Sequence, residues 1–403
     1  SWMELINKYI KVMDKIKNKY MYMLFMVSLA MASCNDIVTY DDNYDDGMTS
    51  TGIPVINAIY DSEDTECTTP LDNAVFEQMI IITGNNLAQV KKIMFNDVEV
   101  KLSEVYATRE KAFMPVPRQI PENVTNKITY ETEFGTTTFD FTVNIPEVKV
   151  DGLYYEFCQP GDTVQIVGDY FDLYGFGGET ETSTIKMNGQ DLKVDSISEG
   201  YLSVVIPEDA QPNSVIDINY EGVNGNVHRQ ISYMNTDGLV WNKDFVKNYS
   251  YPEKVSYVEG NVEEGEPDYY INLRGDFSAW GWVDIIKSKI NISSQVAASP
   301  NDYLLKFDVF SAENTPFYNS GDAGYRFVFN TNGDNSYAWN PSSVTSFGTY
   351  GKWCTVSLDL VSVATKTQPL TEGETNFELV IHPNSNWTVD HGFANFRIEK
   401  KLP

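Results

Sequence analysis

The chain has 403 residues, more than one ordinary hydrophobic core accommodates, so two to four domains are expected. Its 57 acidic residues outnumber its 29 basic ones, and the formal net charge is −28. Because nucleic-acid and acidic-polysaccharide binding depend on clustered lysine and arginine, this charge argues against both and favours a neutral ligand. Aromatic and β-branched residues are abundant and helical periodicity is rare after the first thirty-odd positions, which predicts an all-β protein.

The cysteines and histidines give no sign of a metal or redox site. The four cysteines, Cys34, Cys67, Cys158 and Cys354, are far apart and lack CxxC spacing, so neither a zinc site nor a disulfide framework is predicted. We expect Cys158 and Cys354 to be buried as small hydrophobic residues. No cofactor is predicted, and no loop signature marks a structural calcium site among the aspartates.

The first segment, residues 1–34, has the organisation of a signal peptide. Five lysines between positions 8 and 19 precede an apolar run at 21–33 and then Cys34. Met31-Ala32-Ser33-Cys34 resembles the bacterial lipobox, a resemblance that makes Cys34 the lipidation site and the lipid the only membrane contact. The alternative is an ordinary signal peptide with a chance cysteine.

Residues 35–51 carry five aspartates and cannot bury a core, so a flexible acidic tether is predicted. The segment also resembles the export signal that sends lipoproteins to the outer surface in Bacteroidota-type bacteria. A solvated linker without that role is the other interpretation.

A repeat occupies the next two hundred residues. The segment at 79–87 is matched by 163–171, and the segment at 90–97 by 184–189. Each copy consists of short alternating strands separated by Gly, Asn and Pro, and a repeat of this length predicts two domains in tandem.

This pattern resembles the IPT/TIG immunoglobulin-like family over residues 52–147 and 148–236. The resemblance implies two immunoglobulin-like β-sandwiches, which we expect to act as spacers. Gly84 and Gly168, at matching positions, are expected to let a strand end in a tight turn. The second copy has an insertion at 173–180, whose glycines predict an exposed loop.

The region 238–403 differs in composition, because six of the seven tryptophans lie in it. Its strands alternate: Leu305, Phe307 and Val309 share one face, and Lys306 and Asp308 share the other. Such strands predict a third, larger β-sandwich of the jelly-roll or carbohydrate-binding-module kind.

Two further strands show the same alternation. At 325–329 the aromatic residues oppose Arg326, and at 377–382 Phe377, Leu379 and Ile381 oppose Glu378 and His382. The outer face of one sheet is therefore expected to present four polar side chains: Lys306, Asp308, Arg326 and Glu378.

Aromatic rings beside such polar groups suit a sugar site, because flat rings stack on pyranose faces while polar groups fix orientation. Trp241 and Trp353 lie in strands and are expected in the core. Trp280, spaced by two from Trp282, either packs in the core or contacts a ligand. Trp339 and Trp387 lie among loop-forming residues, so their rings either fold back into the core or are displayed at the surface. The candidate platform comprises Trp280, Trp282, Tyr337, Trp339 and Trp387.

This region resembles the glycan-binding domain of surface glycan-binding proteins of the xyloglucan-binding type. The resemblance rests on the strand at 305–309, Tyr337-Ala338-Trp339-Asn340-Pro341, the segment at 351–358 and the closing residues 395–398. It implies a non-catalytic, outer-membrane, cell-surface lipoprotein. Such a protein, here expected to be a monomer, captures a β-glucan such as xyloglucan or mixed-linkage glucan beside an outer-membrane glycan import complex.

Two alternatives remain open. A glycoside hydrolase needs paired carboxylates, and Glu266 and Asp268 begin an acidic strand signature whose third acid is missing. A surface adhesin would bind a protein partner through the immunoglobulin-like domains, but it would not need tryptophans concentrated in one domain.

Overall fold

The computed structural model describes residues 47–178, 182–317, 324–330, 333–341 and 347–403. The predicted signal peptide, the lipidation residue Cys34 and most of the predicted tether lie outside these residues. Strands make up nearly all regular structure, which confirms the all-β prediction. In the part that the structure describes, no helix combines the length and apolar character needed to cross a bilayer.

Ten strands form the first sandwich: β1 (Val55–Asp61), β2 (Asn73–Val75), β3 (Met79–Asn85), β4 (Val90–Phe95), β5 (Val98–Glu99), β6 (Tyr106–Ala107), β7 (Lys111–Pro115), β8 (Lys127–Thr132), β9 (Gly135–Asp140) and β10 (Thr142–Asn144). Two antiparallel sheets, ordered β1-β3-β7-β6 and β5-β4-β8-β9, enclose the core, and β2 pairs with β10 in parallel. Alternating residues such as Ile80, Ile82, Ile128 and Tyr130 are fully buried between the sheets.

Outside the undescribed residues 179–181, the second sandwich has eight strands: β11 (Lys149–Leu153), β12 (Thr163–Asp169), β13 (Thr184–Met187), β14 (Gln190–Asp191), β15 (Lys193–Ile197), β16 (Tyr201–Val205), β17 (Ser214–Gly222) and β18 (Gly225–Tyr233). Its antiparallel sheets are ordered β11-β12-β16-β15 and β14-β13-β17-β18. Along β17, Ile216, Ile218 and Tyr220 are buried while the residues between them are partly exposed, as a two-residue period requires.

In its described residues the terminal sandwich has nine strands: β19 (Val255–Glu259), β20 (Tyr269–Phe277), β21 (Val283–Ile292), β22 (Tyr303–Ser311), β23 (Tyr325–Phe329), β24 (Ser336–Trp339), β25 (Cys354–Asp359), β26 (Gly373–Ile381) and β27 (Trp387–Lys400). A five-stranded sheet, β19-β20-β27-β22-β25, packs on a four-stranded sheet, β21-β26-β23-β24. Its described part also contains the short α-helices α1 (Lys243–Asn248), α2 (Ser294–Ala298) and α3 (Leu360–Ala364).

The core of the terminal sandwich is built largely from aromatic rings. Phe307 stacks on Phe396 with ring centroids 5.3 Å apart, and Trp241 stacks on Phe377 at 4.9 Å. Trp241, Trp353, Cys158 and Cys354 are buried, which confirms their predicted places in the interior.

The described residues divide into two compact units. One contains residues 47–148 together with Glu221–Gly225, and the other contains residues 149–220 and 226–403. The first sandwich thus dominates one unit, whereas the second and terminal sandwiches belong together to the other.

The two smaller sandwiches share details beyond their strand order. Both carry a β-bulge in the first strand, between Ile56 and Ala58 in one and between Val150 and Gly152 in the other. Such matching irregularities agree with the sequence repeat.

The matched glycines Gly84 and Gly168 lie within extended strands and do not form the turn, so the predicted reason for them is wrong. A Cβ on Gly84 would lie 1.9 Å from the carbonyl oxygen of Val55, and one on Gly168 would lie 1.8 Å from that of Lys149. A glycine is required because the neighbouring strand passes too close for any side chain.

The insertion in the second sandwich was expected to be an exposed loop, and its described part is exposed only at the glycines Gly175, Gly177 and Gly178. Tyr174 and Phe176 are buried, and the Tyr174 ring packs 4.5 Å from that of Tyr220. The apolar side chains of the insertion outweigh the flexibility of its glycines, and it folds back onto the sandwich. Its last residues, from 179 on, lie outside the described residues.

Candidate functional site

The four polar side chains expected on one face lie on two different sheets. Lys306 and Asp308 are on β22 of the five-stranded sheet, whereas Arg326 and Glu378 are on β23 and β26 of the four-stranded sheet. Because the sheets pack face to face, their outer faces point in opposite directions. The prediction that all four share one face is therefore wrong.

Lys306 and Asp308 are also buried, against the prediction that they contact a ligand from solvent. The Lys306 Nζ donates to Oε1 of Glu156 at 2.7 Å and to Oε1 of Glu399 at 2.8 Å. Asp308 is fully buried and accepts from the hydroxyl of Thr355 at 2.7 Å. Residues of the second sandwich cover this part of the five-stranded sheet, so neither side chain is open to a glycan.

Trp339 and Trp387 are folded back into the core, so of the two alternatives left open the buried one holds, and their place in the candidate platform is wrong. Trp339 ends β24, and its ring meets those of Phe307 and Phe317, each at 5.2 Å. Trp387 begins β27 and packs edge-on against Tyr325 at 5.4 Å. Both indoles fill the interior at the end of the sandwich, where burial of a large ring contributes most.

Tyr337 is neither fully buried nor fully exposed. It pairs with Phe327 across β23 and β24, and its half-buried ring packs against the core. Burial raises the pKa of its hydroxyl group. Its predicted contact with a glycan stays a prediction.

Trp280 and Trp282 are the two exposed tryptophans among the described residues, with 69% and 45% of their surfaces accessible. They lie in the loop that joins β20 to β21. Trp280 has a left-handed backbone with φ of +60°, a conformation that a bulky residue adopts only when its surroundings impose it.

Hydrogen bonds fix this loop against the segment that follows β26. The backbone N–H of Trp280 donates to the carbonyl oxygen of Pro383 at 2.7 Å, and that of Ala279 donates to Oδ1 of Asn386 at 2.9 Å. The strained backbone therefore holds an apolar side chain in solvent, where it gains nothing for the fold.

His382 completes a group of three exposed or half-exposed rings, called here the tryptophan platform: Trp280, Trp282 and His382. The imidazole lies 5.2 Å from the Trp282 ring and 6.2 Å from that of Trp280. Its Nδ1 bonds the carbonyl oxygen of Gly281 at 2.8 Å, which fixes the ring. Sequence reasoning placed His382 on the outer face but assigned it no role, although its alternation with Glu378 was a signal.

The outer face of the four-stranded sheet continues from the platform with charged side chains, called here the polar face: Asp284, Lys287, Arg326 and Glu378. The strand register places Asp284 and Arg326 on either side of Val380, and Lys287 beside Glu378. Side chains at paired positions lie about 5 Å apart at Cβ, so the polar face is compact.

Asp284 joins the two groups. Its Oδ1 accepts from the indole Nε1–H of Trp282 at 3.0 Å, and its Oδ2 accepts from the Lys287 Nζ at 3.0 Å. The hydrogen bond to Asp284 raises the pKa of Lys287. One carboxylate thus orients an exposed indole and is itself held by a cation.

Arg326 and Glu378 keep unused hydrogen-bonding capacity. Arg326 forms no ion pair with the described residues; its Nη1 donates to the Ser336 hydroxyl at 3.3 Å, and its buried Nε has no partner. Glu378 has no hydrogen bond or ion pair to any residue in the described ranges, and burial, followed by the charge of Asp284, raises its pKa. Buried or half-buried polar groups usually have partners, so these two are suited to a ligand.

The acidic pair that suggested a hydrolase does not form a catalytic arrangement. Glu266 and Asp268 precede β20 rather than lying on a strand: Glu266 accepts from the backbone of Asn261 at 2.8 Å, and Asp268 binds Lys243 at 3.0 Å. Within the described ranges, no cluster of three or more metal-ligating side chains occurs.

Comparison with known proteins gives one family match. Residues 209–400 match the model of the surface glycan-binding protein B xyloglucan binding domain, which covers the last two strands of the second sandwich and the terminal sandwich. The matched family is one of binding domains rather than enzymes. No curated protein matches the chain in sequence.

Several solved structures are similar. The surface glycan-binding protein PbSGBP-B from Prevotella bryantii is 19% identical, with a TM-score of 0.49 over 87% of this chain and 99% of that one. SGBP-B from a complex xyloglucan utilization locus in Bacteroides uniformis is 16% identical, with a TM-score of 0.43 over 86% of this chain and 99% of that one.

SGBP-B of the Bacteroides ovatus mixed-linkage glucan utilization locus, in complex with a mixed-linkage heptasaccharide, is 12% identical, with a TM-score of 0.27 over 80% of this chain and 73% of that one. At such identities and scores the bound glycan is a property of that protein alone. The likeness that carries weight is the family match, in which residues 209–400 fit the surface glycan-binding protein B xyloglucan binding domain.

Proposed function

We propose that the chain captures a neutral polysaccharide of the β-glucan type through the tryptophan platform and the polar face. The observation that carries the proposal is the exposed pair Trp280 and Trp282, held rigidly by backbone hydrogen bonds beside Arg326 and Glu378. Indoles fixed in solvent offer sugar rings a stacking surface at little entropic cost, and the unused hydrogen-bonding capacity of Arg326 and Glu378 is available to hydroxyls. The family match supports the same ligand class.

The binding residues proposed here are a revised set. Trp280, Trp282, Arg326 and Glu378 remain from the sequence-based candidates, Tyr337 stays a prediction, and His382 and Asp284 join the set. Lys306, Asp308, Trp339 and Trp387 are removed because they are buried. Each stacked ring is expected to contribute about 1–3 kcal/mol, by analogy with ring stacking on bases.

Affinity gels cast with xyloglucan, mixed-linkage glucan, mannan or laminarin test the proposal. The wild-type protein should be retarded by at least one β-glucan, and Trp280→Ala or Trp282→Ala should restore most of its free migration. Phe134→Ala, which removes an exposed aromatic side chain from the first sandwich, is the matched control and should not change migration. If the Trp280→Ala/Trp282→Ala double variant were retarded as strongly as the wild-type protein, the tryptophan platform would not be part of the binding site.

We further propose a place for the protein at the cell surface, tethered by a lipid on Cys34 and delivering glycan to a neighbouring outer-membrane importer. A tethered binder needs only moderate affinity, because tethering raises its effective concentration near the importer. Labelling cells with an alkyne fatty acid tests the anchor: the wild-type protein should take up the label and Cys34→Ser should not. An equally labelled Cys34→Ser variant would contradict the lipid assignment.

A further inference from the structure

The outer face of the five-stranded sheet is covered by the second sandwich of the same compact unit. The chain leaving β11 runs beside the edge strand β25, where the backbone N–H of Thr355 donates to the carbonyl oxygen of Tyr154 at 2.8 Å. The N–H of Glu156 donates in turn to the Thr355 hydroxyl at 2.9 Å. These bonds extend the sheet edge with a segment of another sandwich.

Charged side chains from both sandwiches form ion pairs across this contact. Glu156, from the second sandwich, accepts from Lys306 at 2.7 Å and from Arg397 Nη2 at 2.6 Å. Lys306 also reaches Glu399 at 2.8 Å, and Arg397 Nη1 lies 3.5 Å from Asp308. All five side chains are buried, and we call them the ion lock.

The second sandwich supplies more than one partner to the lock. Glu399 accepts from Nδ2 of Asn235 at 2.9 Å and from the hydroxyl of Ser232. The guanidinium of Arg397 lies over the ring of Phe157 at 4.8 Å. The cations come from the terminal sandwich, and three partners besides Glu156 come from the second.

Buried ions of this kind are stable only as a complete set. Removing one member leaves a charge in a low-dielectric interior, which costs much more than an exposed ion pair gains. Lys306 and Arg397 would lose the Glu156 carboxylate if the two sandwiches separated. The ion lock therefore couples docking of the second sandwich to the stability of the terminal one.

The first sandwich provides an internal comparison within the repeat. Strand pairing matches Ile59 with Leu153, because Ile59 pairs with Ile82 and Leu153 with Ile166. Three residues further on, Glu156 corresponds to Ser62. The first copy thus lacks the carboxylate that receives the two cations.

We propose that the second sandwich is not a spacer but the docked half of a single cooperative unit with the terminal sandwich, held by the ion lock. An independent observation agrees, because the family match begins at residue 209, inside the second sandwich and ahead of β17 and β18. The proposal concerns folding and positioning, and it does not depend on the proposed glycan binding.

Hydrogen exchange of the full chain without glycan tests the proposal, using Glu156→Gln, which removes the charge but keeps the shape. The Thr355 amide, bonded across the contact, should exchange at least about tenfold faster than in the wild-type protein. Ser62→Ala, the corresponding change in the first sandwich, should leave Thr355 unchanged, and so should Trp280→Ala in the platform.

Amides inside each sandwich distinguish the outcomes. If Glu156→Gln unfolds the unit, Ile218 in the second sandwich and Leu379 in the terminal one should lose protection together, which also supports the proposal. Two results would overturn it. The first is that the Thr355 amide stays as protected in both Glu156→Gln and Lys306→Met as in the wild-type protein. The second is that Leu379 loses protection in Glu156→Gln while Ile218 stays protected, because the two sandwiches would then unfold independently.

Discussion

Protonation of His391 is expected to destabilise the terminal sandwich as the pH falls. The imidazole is fully buried: its Nδ1 accepts from the hydroxyl of Tyr325 at 2.7 Å, and its Nε2–H donates to the carbonyl oxygen of Thr315 at 2.6 Å. The Phe317 ring lies 4.1 Å away. Burial lowers the pKa of His391 from 6.5 to about 3, against the opposing effect of the bond to Thr315.

The sign and size of the effect follow from linkage. Because the pKa of His391 is lower in the folded chain than in the unfolded chain, the fold favours the neutral imidazole. Its contribution is fully present above pH 6.5 and is lost as the pH falls towards 3. At about 1.4 kcal/mol for each unit below 6.5, the free energy of unfolding should be about 2 kcal/mol lower at pH 5 than at pH 8.

Urea unfolding at a series of pH values between about 8 and 5 measures this loss, and His391→Gln supplies the comparison. Glutamine keeps an N–H donor for Thr315 but does not titrate, so the variant should lose about 2 kcal/mol less than the wild-type protein across the range. Equal losses in the wild-type protein and His391→Gln would refute the reasoning.

Three further predictions concern single residues. Gly84→Ala and Gly168→Ala should each lower the free energy of unfolding of their own unit by about 3 kcal/mol, because the new Cβ would overlap a carbonyl oxygen; an unchanged melting temperature in calorimetry would contradict the close approach. Trp339→Ala should lower the free energy of unfolding by about 3–5 kcal/mol, and the protein that stays folded should bind glycan as tightly as the wild-type protein. Titration calorimetry at a temperature below the melting temperature of the variant measures that affinity. Asp284→Ala should weaken binding about three- to tenfold by freeing the Trp282 indole, and Asp284→Asn, which keeps an acceptor, should weaken it less; equal affinities would exclude the orienting role.

Alternation along single strands could be predicted from the sequence because it is a local property. Leu305, Phe307 and Val309 are buried on one face of β22, and Phe327 and Phe329 are buried on β23, as their two-residue spacing indicates. The repeat could also be recognised, because its glycines stand where two strands approach closely in each copy.

Whether an outward-facing side chain meets solvent or another domain is not a local property. Lys306 was correctly assigned to the outer face of its strand, but its partner Glu156 lies 150 positions earlier in the chain. No pattern within β22 distinguishes a cation that binds a ligand from one that closes a domain contact. The sequence therefore predicted the orientation of Lys306 and not its environment.

The exposure of the tryptophans could not be predicted from local sequence either. Trp339 lies among loop-forming residues, yet the rings that bury it belong to distant segments. Trp280 is exposed because its left-handed backbone is held by Pro383, about a hundred residues further along. Local composition identified both as candidates, and only the assembled sandwich separates the core ring from the displayed one.

Gly324 connects the interior of the terminal sandwich to the tryptophan platform. A Cβ at this position would lie 1.8 Å from the indole of Trp387, and the carbonyl oxygen of Gly324 accepts from the N–H of His382 at 2.7 Å. The same residue thus makes room for a core ring and anchors a ring at the surface. A side chain at position 324 would therefore displace the Trp387 ring in the interior and the backbone that carries His382 at the surface, so that one substitution would disturb two distant layers of the sandwich.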